Sequence, residues 1–119
     1  MSKQFENLKA WQKAKDLTVK IYKSVESYPK HETFALSNQT TRASVSIAAN
    51  IAEGSSRKSL KDFGRFLEIA LGSAYELETL LIIAFELRYF DDKVKEELNL
   101  LLEDSIRLIC GLKRKLLNE

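Results

Sequence analysis

The stretch that most constrains this chain runs from residue 42 to 57, Arg-Ala-Ser-Val-Ser-Ile-Ala-Ala-Asn-Ile-Ala-Glu-Gly-Ser-Ser-Arg. Its side chains are mostly small, with two branched apolar anchors, Ile47 and Ile51, four residues apart. That spacing puts both on one helical face with Ala43, and Ala48 lies at its edge. Arg42, Ser46, Asn50 and Glu53 form a second, polar line at spacings of four and three. A helix that is small on one side and polar along another sits close to its neighbours and brings amide, hydroxyl and carboxylate groups to the contact. Thr40, Thr41, Ser44 and Ser46 are mediocre helix formers, so the segment depends on tertiary packing and belongs at the centre of a bundle. Gly54 is expected to stop it, as glycine does just past a helix end.

The rest of the chain supplies the neighbours. Four Gly and one Pro in 119 residues are too few for a fold of many turns, and the length fits one domain, residues 1–119. Apolar residues recur at steps of three and four through Leu8, Trp11, Ala14, Leu17, Ile21 and Val25, the period of an amphipathic helix. Asn7 is a candidate N-cap for it, and Pro29 ends it, which predicts a helix over about 8–28. Phe34 and Leu36 are expected to pin the following connection to the core, and Ser37 to cap a second helix over 37–53. Ser59-Leu-Lys-Asp62 resembles a capping box and opens a third helix over 60–88. Gly64 and Gly72 lie inside it, and with Ala70 and Ala74 they predict a tight crossing against the small-residue helix. Asp91 or Asp92 caps a fourth helix over 92–117, whose Val94, Leu98, Leu101, Ser105, Leu108 and Leu112 approach a heptad seam. Its further Leu100, Leu102, Ile106, Ile109 and Leu116 widen the apolar arc, which fits either a thicker core or a second chain. Four helices with short connections predict an all-α, antiparallel up-down-up-down four-helix bundle.

Several function classes find no support in the residues. Cys110 is alone, so no internal disulfide forms and a reducing, cytoplasmic compartment is expected. Residues 1–6 do not read as a signal peptide, and no apolar run approaches the roughly 18 residues of a membrane span. A di-iron bundle needs Glu-x-x-His pairs on inward faces, but the only histidine, His31, sits beside Pro29. Glu53, Glu76 and Glu78 alone make a weak metal set. No Gly-rich phosphate loop occurs, and a lone loop histidine with a lone cysteine in an apolar stretch does not suggest a nucleophile and its base. Neither a cofactor, a metal, a small-molecule substrate, a catalytic residue nor an enzymatic activity is expected.

Charge is more suggestive. The net charge of +2 conceals an asymmetry: residues 1–65 hold 12 Lys/Arg against 6 Asp/Glu, and residues 66–119 hold 7 against 11, which fits lysines that solvate the outside of the first helix as well as a basic binding surface. Arg57, Lys58, Lys61 and Arg65 cluster at the junction of the second and third helices. Ser55 and Ser56 offer hydroxyl donors beside a helix start, where free N–H groups favour a phosphate. Lys113, Arg114 and Lys115 form another basic run, which also fits as a complement to the last helix's dipole. Arg42, Asn50, Glu53, Ser73 and Glu76 fall on lines that could meet. A buried carboxylate there would need a partner, for which Arg42 is the natural choice. This set reads as a structural polar network or a subunit contact.

The pattern Leu8-x-x-Trp11-Gln12-x-Ala14, then Arg42-Ala43-x-x-Ser46-Ile47-x-x-Asn50-Ile51-Ala52-Glu53-Gly54, then Phe63-x-x-Phe66-Leu67-x-Ile69-Ala70-x-Gly72-Ser73-x-x-Glu76-Leu77 resembles the 23S rRNA intervening-sequence proteins, also called the S23 ribosomal protein family. The resemblance implies a small bacterial helical bundle that assembles into a homopentamer, with no catalytic residues to carry over. It extends to the accessory protein of diversity-generating retroelements, a basic pentamer that binds reverse transcriptase and nucleic acid. The expected function is therefore a non-enzymatic homo-oligomer that binds RNA or a ribonucleoprotein partner through a basic surface. The alternatives are a protein-interaction scaffold without nucleic acid and a retroelement accessory protein.

Overall fold

A computed structural model describes residues 4–118; residues 1–3 and 119, the ends of the expected domain, lie outside the described residues. Four α-helices follow one another: α1 over Lys9–Ser24, α2 over Leu36–Ser55, α3 over Leu60–Glu86 and α4 over Asp92–Leu117. No strand occurs among the described residues. Helices α1 and α2, α2 and α3, α3 and α4, and α4 and α1 pack side by side, giving the up-down-up-down bundle expected from the periodicities. The pair α2–α3 is the most extensive, which fits the small side chains along α2. Cross-helix contacts set the antiparallel register. Ser46 Oγ lies 2.8 Å from Ser73 Oγ between α2 and α3, and Lys20 Nζ lies 2.6 Å from Glu97 Oε2 between α1 and α4.

The core follows the predicted faces. Leu17 and Ile21 of α1, Ile47 and Ile51 of α2, Leu67 and Leu77 of α3, and Leu98, Leu102 and Ile109 of α4 are almost fully buried. Ala14, Ala70, Ala74 and Ala84 fill the close approaches between them. Burying each large aliphatic side chain is worth about 1.5–3 kcal/mol, so these nine anchors supply most of the drive to fold. Leu101, Ile106, Leu108, Leu112 and Leu116 pack partly against this core. The broad arc of α4 is thus largely used within the bundle, with Leu100 left outside.

Helix ends differ from expectation in instructive ways. Ser59 Oγ accepts from the Asp62 N–H at 3.0 Å and the Asp91 carboxylate accepts from the Val94 N–H at 3.0 Å, both as predicted. Asn7 does not cap α1; Leu8 holds that position without a side-chain cap bond. Ser37 does not cap α2 either, because the helix begins at Leu36, with Ala35 before it. The carboxylate of Glu32 reaches forward instead and accepts from the Leu36 N–H at 3.3 Å. Helix α1 stops at Ser24, short of the expected residue 28. Ser24 Oγ donates to the Lys20 carbonyl, and Ser27 Oγ donates to the carbonyls of Ser24 and Tyr89. These bonds compete with helical ones and draw 25–27 into a 3-10 turn. Helix α3 ends two residues short of Arg88, which takes a left-handed conformation at φ 62°. The Tyr89 N–H then bonds to the Ala84 carbonyl, a Schellman closure with arginine where glycine is usual.

Two side-chain placements overturn expectations. Phe34 does not pin the connection to the core; it is 93% exposed. Gly54 does not stop α2, which continues to Ser55. A Cβ at position 54 would lie 2.7 Å from Phe66 Cβ, so at this glycine α2 and α3 approach too closely for a side chain. The tight crossing expected at Gly64 and Gly72 therefore sits elsewhere: a Cβ at Gly64 would face Leu117 of α4, and one at Gly72 would meet nothing within 4 Å.

Candidate nucleic-acid interface at one end of the bundle

Because the helices are antiparallel, one end of the bundle collects the start of α1, the α2–α3 turn and the last turns of α4. The side chain of Lys113 on α4 reaches Glu68 on α3 at 3.0 Å, and Leu117 covers Gly64. The basic cluster at 57–65 and the basic run at 113–115, separated by about half the sequence, thus share one end. The segments that build it, residues 4–13, 53–68 and 107–118, carry ten Lys/Arg against four Asp/Glu. The segments at the other end, residues 23–35 and 83–96, carry five against six. A charge contrast of this size produces a local positive potential that the net charge of the chain hides.

The four residues singled out at the α2–α3 turn are all exposed but not equivalent. The Arg57 guanidinium lies 3.1 Å from Glu53 and 4.7 Å over the Phe66 ring, which fixes its plane beside the turn. Arg65 approaches Asp62 only at 4.0 Å, an exposed pair of little energetic weight. Lys58 and Lys61 have no partner among the described residues, and their ammonium groups face solvent. The hydroxyls of Ser55 and Ser56 are not free donors for a ligand: they donate to the carbonyls of Ala52 and Glu53 and close the last turn of α2. Arg114 and Lys115 are exposed on the final turn of α4. This arrangement presents several exposed cationic side chains on one end of the bundle.

The polar set on α2 and α3 is divided. Ser73 and Asn50 meet through Ser46, whose Oγ contacts Ser73 and accepts from Asn50 Nδ2 at 3.0 Å. Glu76 instead accepts from Gln39 Nε2 at 3.3 Å, and Glu53 pairs with Arg57 rather than with Arg42. Arg42, Glu53 and Glu76 are exposed, so no carboxylate is buried here and no buried partner is required. A hydroxyl–amide contact thus joins Asn50, Ser46 and Ser73. Ser46, its hub, stands on the same polar line.

Among the described residues, no group of three or more His, Cys, Asp or Glu side chains is placed to hold a metal ion. His31 belongs to the connection at the less basic end and Cys110 to the C-terminal half of α4, half-buried, so the two do not meet. No helix is long and apolar enough to cross a membrane.

The family model for 23S rRNA-intervening sequence proteins matches residues 6–111. No curated protein matches the chain. A crystal structure of a protein of unknown function from the S23 ribosomal protein family of Bacteroides thetaiotaomicron superposes with a TM-score of 0.79 at 28% identity, covering 88% of this chain and 95% of that one. With the family model spanning most of the sequence and the bundle reproduced at that identity, the chain belongs to the 23S rRNA-intervening sequence protein family.

Proposed function

We propose that this protein is a non-enzymatic bundle that assembles with copies of itself and holds structured RNA, or an RNA–protein particle, against its basic end. The observation that carries this proposal is the convergence of residues 57–65 and 113–115 on one end, where ten cationic residues face four acidic ones. Phosphate backbones bind such surfaces through release of condensed counterions, which makes the affinity steeply salt-dependent and only weakly sequence-dependent. Lys58 and Lys61 are the strongest contributors, since neither is engaged by a neighbouring carboxylate. Arg57 adds a guanidinium whose plane is already set against Phe66, so less rotamer freedom is lost on binding.

The test is a mobility-shift titration of a structured RNA across a range of salt, comparing the native protein with Arg57→Glu/Lys61→Glu. The double variant should bind about tenfold or more weakly at ~0.1 M salt, with a shallower salt dependence corresponding to about two fewer phosphate contacts. Both side chains are exposed, so the thermal midpoint should hardly move. Unchanged affinity in the variant removes this surface. Capture of one protein from nuclease-treated lysate, with no RNA shift at all, favours the scaffold reading instead.

A further inference from the structure

Between the second half of α3 and the first half of α4 the bundle leaves a groove of about 260 Å³, with apolar walls of Leu81, Ile82, Phe85, Phe90 and Leu98. Leu81, Phe90 and Leu98 are buried and form its floor, whereas Ile82 is 54% exposed and stands at the mouth. Three polar side chains complete the lining: Glu86, Lys95 and Asn99. The Lys95 ammonium lies 4.2 Å over the Phe85 ring. Among the described residues neither Lys95 nor Glu86 has an ion-pair partner, and the Asn99 side chain has no hydrogen-bond partner. An apolar hollow that also presents one unpaired cation, one unpaired anion and one amide has the make-up of a small-molecule site, in which apolar walls supply burial and a few polar groups fix orientation.

We infer that this groove binds a free amino acid with an aromatic side chain, its ring on the apolar floor, its carboxylate on Lys95 and its ammonium on Glu86. Two features of the groove select that chemistry. Charge is the first. A wholly apolar ligand leaves both charges unanswered, a simple anion faces Glu86, and a simple cation faces Lys95. A short head group that carries both signs answers both, and the Asn99 amide offers it a further donor or acceptor. The Phe85 ring holds the Lys95 ammonium at the groove before any ligand arrives, so less side-chain freedom is lost on binding. Size is the second. A dry cavity of ~150 Å³ takes a benzene ring. The 260 Å³ here holds one such ring and leaves room for a head group, but not for an extended chain. Phe85 and Phe90, with centroids 5.9 Å apart, give that ring aromatic neighbours. The groove ends beside the α3–α4 connection, away from residues 57–65, so its ligand does not compete with a polyanion at the basic end.

The test is titration of the isotope-labelled full chain with L-phenylalanine, followed through backbone amide resonances. Phenylpropionate, which lacks the ammonium, and phenethylamine, which lacks the carboxylate, serve as the comparison probes. Signals of residues 81–99 should shift and saturate with a dissociation constant of roughly 1 mM or tighter, while those of residues 57–65 stay in place. Each probe that lacks one charge should bind at least about fivefold more weakly. Lys95→Met keeps an apolar stem over Phe85, and Glu86→Gln keeps the shape of an exposed side chain, so both should retain the native helical circular dichroism. Both should weaken phenylalanine binding by a similar factor. Ile82→Trp fills the exposed mouth with both charges intact and should abolish the shifts. A probe lacking one charge that binds as tightly as phenylalanine, or unchanged affinity in either charge variant, overturns the assignment of a zwitterion. Signals of residues 81–99 that stay still at tenfold higher phenylalanine, or full binding by folded Ile82→Trp, overturn the site itself. None of these results bears on the RNA surface, to which the groove does not contribute.

Discussion

At one end of the bundle Tyr28, Phe85, Tyr89 and Phe90 pack ring against ring, with centroids 5.2–6.3 Å apart, and Tyr89 Oη donates to Glu32 at 2.8 Å. At the other end the aromatic contacts are fewer and do not link the two connections: Phe5 and Trp11 meet edge to face at 5.1 Å, α3 closes on Gly54 through Phe63 and Phe66, and cationic side chains fan outward. The first end ties the two connections there into one unit. Ser27 Oγ adds a bond to the Tyr89 carbonyl, so the α1–α2 and α3–α4 connections brace each other. The second end does the reverse, accumulating like charge at some cost in self-repulsion. Its exposed ion pairs, such as Arg57 with Glu53, return only a few tenths of a kcal/mol each. Ring packing and cross-connection bonds gather where the surface is close to neutral, and cationic side chains without close carboxylate partners, such as Lys58 and Lys61, gather at the other end.

The sharpest way to break this contrast is at Gly54. Valine there forces its Cβ into Phe66 Cβ, a rigid atom close to the backbone, and should destabilise the bundle by roughly 3 kcal/mol despite removing a helical glycine. Chemical denaturation measures this; a neutral Gly54→Val would show that the basic end is looser than described.

The aromatic end can be probed by pH. Burial among the neighbouring rings, with the nearby Glu32 carboxylate adding to it, pushes the Tyr28 hydroxyl up to about 12. The folded state therefore keeps this proton longer than the unfolded chain does. Its contribution is intact below pH 10 and is lost as pH rises from about 10 to 12, roughly 2 kcal/mol in all. Tyr28→Phe should flatten that alkaline decline. It also removes a buried hydroxyl that has no hydrogen-bond partner among the described residues. An unchanged thermal-midpoint profile across pH 9–12 would place the ring in water. The smallest effect is expected at Thr40, near the same end, whose buried hydroxyl is also unpartnered. Thr40→Val should raise stability by about 0.5–1 kcal/mol, since it replaces an unsatisfied polar group with a methyl of similar size.

Much of the fold is legible in the residues because the helical period is carried by large side chains, from Leu17 and Ile21 to Leu98 and Leu102. Ser59 and Asp91 declare their helix starts for the same local reason: each faces an N–H three residues on. What stays hidden depends on partners distant in sequence. Gly54 reads equally as a helix stop or a close approach, and only the position of Phe66 decides. Phe34 looks like an apolar anchor because nothing local reveals that its ring points away from the bundle into solvent. Ser37 has the right chemistry for a cap, yet the helix begins one residue earlier, at Leu36, whose N–H bonds to the Glu32 carboxylate. Of the candidate interface, the cluster at 57–65 is visible as a run of charge. The segment 113–115 reads equally as a complement to a helix dipole until the antiparallel order of α4 carries it to the same end.

The central claim is that the two ends divide the work, one binding RNA and the other not. It is tested most directly by titrating isotope-labelled protein with a structured RNA and following backbone amide resonances. The account predicts that signals from residues 57–65 and 113–115 move together and return as salt is raised, while those of residues 26–32 and 86–91 stay in place. Movement confined to the aromatic end, or shifts at the basic end that salt does not reverse, would contradict it.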